Sequence, residues 1–276
     1  MKRFSVLNSK VLVMVTALVV CFATVLPAVA DEEKPTADFS TAFLSKYVWR
    51  GFELSKDSLV IQPSATVAYK GFSANLWGNL DTDPYSGGGE NETNNWNETD
   101  MTLAYGRGFF DDFLNAELGY IYYALDAADD SQEFYLSLGL DVLLNPTLTV
   151  YREFAHYTSW YILLGISHSF ELMDWMALDL SGSVSYLYSL DKDAYPEIGS
   201  NCEADGKMQN FHDGVLSASL PMTFWEYFTV APSISYSFPL SSDSEDMIEA
   251  FSYTGQDCSG GDSSFVFGGV TCSFAF

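Results

Sequence analysis

Ser264-Phe265-Val266-Phe267-Gly268-Gly269-Val270-Thr271-Cys272-Ser273-Phe274-Ala275-Phe276 decides how the rest of the chain is read. Counted back from Phe276 in twos, Phe274, Cys272, Val270, Gly268 and Val266 are all apolar or small. The other parity holds Ala275, Ser273, Thr271, Gly269, Phe267 and Phe265, polar or small near its end. A period of two is the signature of a β-strand, and one apolar face needs lipid or a core to cover it. Taken alone, the stretch fits two structures: the closing strand of a membrane barrel, or a strand of a soluble sandwich that happens to end in Phe.

A terminal strand ending in Phe resembles the last strand of bacterial outer-membrane β-barrels. The resemblance implies that it closes the barrel and is read by the barrel assembly machinery. The opposite end of the chain points to export. Lys2, Arg3 and Lys10 precede the apolar run Val11 to Leu26, then Pro27 and the small triplet Ala28-Val29-Ala30. A basic segment, an apolar segment and a small-residue site make a signal peptide, with cleavage expected after Ala30 and residues 31–276 left as the mature protein. The run is short for a membrane-anchoring helix. A lipoprotein reading through Cys21 is weakened by Val20, which is larger than the residue expected before a lipidated cysteine. No later stretch is apolar for long enough to form a membrane helix, so the mature chain is a soluble exported protein or a barrel.

The sequence carries 37 acids against 12 bases, and every acid lies beyond residue 30. That balance excludes nucleic acid as a partner and favours cations and divalent-ion bridges. Aromatic content is 16% while charged residues are only 18%, so the net charge of −25 must be concentrated, and the long polar segments carry most of it. Cys202 and Cys258 both fall in long loops, and an oxidising compartment permits a bridge between them; free thiols are the alternative.

Twelve alternating segments follow. The first runs from Asp38 to Arg50, with Phe39, Phe43, Tyr47 and Trp49 on one parity, and Gly51 to Asp57 is a loop. Then come Leu59 to Tyr69, a Lys70-Gly71 turn, Phe72 to Leu80 and a polar segment from Asp81 to Glu98. The fourth, fifth and sixth strands are marked by Met101 to Tyr105, Leu114 to Tyr122 and Phe134 to Val142, with turns at Asp111-Asp112 and Asn145-Pro146. Residues 147 to 154 form a seventh strand of ambiguous parity. Trp160 to Phe170, Met176 to Tyr188, Leu216 to Phe224 and Phe228 to Phe238 mark the eighth to eleventh. Acidic loops span 189 to 210 and 239 to 263. Connections after odd strands are long and those after even strands short, as in a barrel with short periplasmic turns and longer external loops. Trp49, Tyr69, Tyr105, Tyr122, Trp160, Trp175, Tyr188, Trp225 and Tyr227 cluster at strand ends, where interfacial girdles sit.

If the apolar parity faces lipid, the opposite one lines a lumen of small hydrophilic residues, including Asn75, Asn79 and many serines. Twelve strands lined in this way leave a narrow wet lumen. A plug, if there is one, must come from the loops. The inward acids Glu117, Glu133, Asp141 and Asp179 favour cations in a pore, or else pair with Lys46 or an arginine and brace the wall. No enzymatic pattern emerges: His156, His168 and His212 lack a serine two residues on, and three scattered histidines make no metal site. No cofactor is expected.

Ser45-Lys46-Tyr47-Val48-Trp49-Arg50-Gly51-Phe52, followed by Gln62-Pro63 and then Gly71-Phe72 through Trp77-Gly78-Asn79, resembles the TorF-like porin family. The match covers residues 38 to 83, and the acidic loops are longer than the family leads one to expect. The resemblance implies an outer-membrane barrel and a channel. The sequence therefore predicts an all-β, 12-stranded antiparallel transmembrane barrel passing small hydrophilic solutes, with a preference for cations. Its expected surroundings are outer-membrane lipid and lipopolysaccharide. A surface adhesion barrel with a blocked lumen is the alternative.

Overall fold

The computed structural model describes residues 34–55, 57–84, 95–126, 128–198, 203–251 and 261–276. Signal cleavage after Ala30 and the Cys202–Cys258 bridge fall outside these residues; Cys272 is a free thiol. Twelve strands form the wall: β1 Thr36–Leu44, β2 Val60–Tyr69, β3 Phe72–Asp81, β4 Asn95–Phe109, β5 Leu114–Leu125, β6 Ser131–Leu140, β7 Thr147–Glu153, β8 Ser159–Met173, β9 Met176–Ser189, β10 Gln209–Ser219, β11 Phe228–Pro239 and β12 Phe265–Ala275. Each pairs antiparallel with its sequence neighbours, and β1 pairs with β12 to close the ring, with Phe43 opposite Val270. The chain is a closed, twelve-stranded antiparallel transmembrane β-barrel. Among the described residues no helix is long and apolar enough to cross a membrane; the strands do so instead.

The parity read from the sequence is the parity of the wall. Phe39, Val67, Phe72, Leu76, Leu103, Leu118, Phe134, Leu164, Ile166, Leu216, Ile234 and Val266 all project outward and stay exposed, which only a hydrocarbon surround makes favourable. In β7 the register sets Thr149 opposite Ser137 and Tyr151 opposite Tyr135, so Thr147, Thr149, Tyr151 and Glu153 face inward. Its parity is hard to read because Thr and Tyr suit either side of a sheet.

Turn chemistry separates the two ends. At Lys70-Gly71 both residues have positive φ, 53° and 83°, the primed hairpin geometry that matches strand twist. Trp225 and Glu226 adopt the same region at 52° and 69°. Near this turn β10 is interrupted at Pro221, which has no amide hydrogen for the ladder, and Met222–Phe224 resumes pairing with β11. The connections after odd strands lie together at the other end, and those after β1, β3, β9 and β11 are much longer than any short-end turn. Tyr69, Trp175, Trp225 and Tyr227 stand exposed beside the short turns, and Trp160 and Tyr188 beside the long loops.

Two sequence readings need correction. The first strand does not reach Arg50. β1 stops at Leu44, and the chain turns into the barrel, where Val48–Trp49 pairs with Phe52–Glu53 in a small hairpin. Trp49 is therefore no girdle residue: its ring meets Tyr123 inside the lumen at 6.3 Å. The long acidic segments are also not all loop. Pro196–Ile198 pairs with Ala204–Lys207, and Ser242–Phe251 forms a helix, α1. Met247 and Ile248 of α1 are fully buried. Acids at Asp243 and Glu245 favour its first turn through the helix dipole.

Candidate functional site

Burial of the inward residues changes steadily along the barrel axis. On β9, Ser181 is exposed, Ser183 half-buried and Ser185 buried. On β11, Ser233 and Ser235 are half-buried and Ser237 is inaccessible. On β10 the same gradient runs from Ser219 to Asp213. Small serines thus surround open space at the short-turn end, and other groups fill the lumen at the long-loop end.

On the β4–β7 side of this open half lies a recess of about 630 Å³, bordered by Gly106, Arg107, Glu117, Ser137, Asp141 and Thr147. Glu117 accepts a 2.6 Å hydrogen bond from Tyr135, and Asp141 is exposed at the mouth. Asp179 is half-buried on β9, and Asn75 donates 2.8 Å hydrogen bonds to Ser64 and to Thr66 of the neighbouring strand β2.

The closed half is built around the inward hairpin. Arg50 at its tip forms a bidentate pair with Glu133 of β6, both N–O distances being 2.7 Å. Tyr123 donates to the same carboxylate at 2.8 Å. The guanidinium lies over the rings of Tyr161, Trp49 and Tyr151, at 4.3, 4.5 and 4.8 Å from their centroids. Burial works against the charge on Arg50, but the adjacent Glu133 carboxylate outweighs it and raises its pKa well above normal. A planar fork that matches a carboxylate and stacks on aromatic faces is what arginine supplies and lysine does not.

The Arg50 carbonyl accepts a 2.8 Å hydrogen bond from His212 Nε2. A bulge in β10 opposite Ser185 turns both His212 and Asp213 inward. Asp213 accepts from Ser185 at 2.6 Å and from Tyr161 at 2.9 Å. Ser185 thus bonds the carboxylate directly, with no histidine between them. Beneath the tip, Phe52 packs with Tyr161, Leu187, Met208, Met247, Ile248 and Phe265 in one apolar cluster. Gly51 has φ +83°, and a Cβ there would sit 2.9 Å from Ile248, so the tip needs a glycine.

The sequence-predicted residues divide between these halves. Glu117, Asp141 and Asp179 belong to the open side, with Asn75 on the wall. Glu133 is buried and neutralised. Asn79 is inaccessible in a ladder, accepting from Gln62 at 3.0 Å and donating to Asn97 at 2.8 Å. Lys46 lies past the end of β1 and braces the root of the hairpin, paired with Glu53 and Asp57. Burial lowers its pKa, but the hydrogen bonds it donates to those two carboxylates prevail and raise it.

Sequence reading missed Glu98, Asp100 and Glu153. All three face inward at the closed end; Glu98 and Glu153 are buried, and Tyr47 lies against the first two. Above the hairpin, on the long-loop side, lies a cavity of about 320 Å³ walled by Trp49, Phe52, Tyr157, Tyr195, Phe251 and Glu153. Among the described residues no cluster of His, Cys, Asp and Glu is arranged to hold a metal ion.

Comparison with protein-family models finds no match, and comparison with curated protein sequences finds none. Solved structures do match. The NanC porin superposes with a TM-score of 0.52 at 12% identity, covering 86% of this chain and 98% of that one. An outer-membrane channel from Pseudomonas putida F1 gives 0.43 at 8% identity over 91% of this chain and 100% of its own. The translocator domain of the autotransporter NalP from Neisseria meningitidis gives 0.38 at 11% identity, over 98% and 96%. The likeness to NanC is one of fold: a porin-like outer-membrane β-barrel.

Proposed function

We propose that this barrel sits in a Gram-negative outer membrane and acts as a passive channel for small hydrophilic solutes, with the inward hairpin setting its narrowest passage. The observation that carries this is the axial gradient: inward serines on β9, β10 and β11 grow steadily less accessible toward the long-loop end, where the lumen narrows onto a segment that no wall strand contains. A barrel needing only a solid interior has no use for small residues around open space. The short turns then face the periplasm and the long acidic loops the exterior. The resemblance of residues 38 to 83 to the TorF-like porins points the same way.

Charge sets the preference. Glu117, Asp141, Glu153 and Asp179 face inward, Arg107 borders the recess beside Glu117, and Arg50 and Lys46 are already paired with acids. A lumen of that sign favours cations. Purified mature protein in a planar bilayer is expected to give small conductance steps, with a reversal potential in a KCl gradient that favours potassium. Equal or greater chloride permeability would refute the cation preference. The apolar cluster beneath Arg50 favours a second reading, a surface barrel with a blocked lumen. Absence of steps both in the natural protein and in a variant with the hairpin released would establish that one. Neither reading assigns an enzymatic step.

A further inference from the structure

We infer that the cavity above the hairpin is a binding site for a small organic cation, a primary or substituted ammonium on an apolar body. Its volume, about 320 Å³, is at the small end of ligand pockets, which run from roughly 300 to 1,000 Å³. Two independent features specify the ligand's chemistry.

The first is an unused carboxylate oxygen. Glu153 is 2% exposed. Its Oε1 accepts from Ser131 at 3.1 Å and from the amides of Ala155 and His156 at 2.8 and 3.0 Å. Its Oε2 is buried and lacks a hydrogen-bond partner, and Glu153 is one of the residues that wall the cavity. A buried carboxylate oxygen left in that state is costly, and a bound cationic N–H donor would relieve the cost. The adjacent acid in the wall, Glu133, is occupied by Arg50, so Glu153 is the oxygen the ligand meets.

The second feature is an aromatic enclosure. Phe52 stacks on Tyr195 with centroids 6.3 Å apart and meets Phe251 edge-on at the same separation. Trp49, Tyr157 and Tyr195 also line the cavity. Ring faces attract cations and cover an apolar body, whereas an anion would meet both the quadrupoles and the carboxylates unfavourably. A bare metal ion would want several oxygens converging, and the rings leave it too few.

The test uses the full mature chain, detergent-solubilised and shown to be folded by its heat-modifiable gel mobility. The probes are 2-phenylethylammonium, the neutral 2-phenylethanol and the anion 3-phenylpropionate, titrated by calorimetry. Saturable one-to-one binding of the ammonium alone is expected. Glu153→Gln should weaken it on the order of tenfold, the worth of a charge-assisted hydrogen bond. Glu153 also holds the adjoining loop, so a second variant, Tyr157→Ala, tests the aromatic wall without touching that anchor, and it too should weaken binding. No saturable binding of the ammonium, equal binding of the alcohol or the anion, or unchanged affinity in both folded variants would each overturn the assignment. Binding is measured whether or not the barrel conducts, so failure here and failure of the channel reading are separate results.

Discussion

Replacing Arg50 with alanine is expected to raise single-channel conductance several-fold while leaving the barrel wall folded. The wall is held by continuous backbone pairing from β1 round to β12, none of it passing through Arg50. The hairpin has no such ladder to the wall. Its tip is fastened by the bidentate pair to Glu133, the three rings over the guanidinium, and His212 on the Arg50 carbonyl. Removing one partner of a buried pair strands the other charge, typically at a cost of about 3–5 kcal/mol. The stranded group here is Glu133, whose side chain is 2% exposed. It regains water most readily if the hairpin leaves. The double variant Arg50→Met with Glu133→Leu makes the complementary case: with both charges replaced by apolar groups the tip can repack, and conductance should stay near its natural level. Unchanged conductance in Arg50→Ala, checked for correct folding by heat-modifiable mobility, would show that the hairpin does not set the passage.

Placing a side chain at Gly269 is expected to prevent closure of the ring. Gly269 lies opposite Leu44 on the seam between β1 and β12. A Cβ there would sit 1.8 Å from the Phe43 carbonyl oxygen and 2.9 Å from its carbon. The crowding has a local cause. Just past Leu44 the chain bends into the lumen, and Ser45 donates its amide to the Gly268 carbonyl at 2.9 Å. Backbone crosses backbone at that point, and neither can yield as a flexible side chain would. Gly269→Val should leave folded, heat-modifiable protein reduced on the order of tenfold, since clashes of this kind belong to the most damaging class of single substitution. Gly165→Ala is the matched control: its added carbon meets nothing nearer than 4.0 Å, and folding should be unaffected. Natural folded yield in Gly269→Val would contradict the seam geometry.

The wall was legible because lipid outside and polar space inside impose one rule on every strand, and a period of two displays it directly. Lys70-Gly71 marked a turn through the break in that pattern. The inward hairpin stayed hidden because Tyr47 and Trp49 continue the alternation of Phe39 and Phe43. Periodicity cannot report that the chain has left the sheet. The available signal was Arg50 itself, a cation between Trp49 and Gly51 in a chain poor in bases. Glu98 and Asp100 were passed over because the segment from Asp81 was read as one polar stretch. Carrying the parity of Met101 back through β4 places both acids inward. The α1 helix was masked by its acids, although Met247, Ile248 and Phe251 sit at helical spacing within them.

The apolar cluster under the hairpin draws on distant parts of the chain: Phe52 near its beginning, Tyr161 and Leu187 from the middle, Phe265 on the closing strand. Its interior therefore cannot be sealed before the final strand docks. A chain cut short upstream of Phe265 would hold greasy residues facing water and offer them to periplasmic proteases. Arrival of the last strand would then serve as a checkpoint for the whole molecule, finishing the cylinder and packing its interior cluster in the same event.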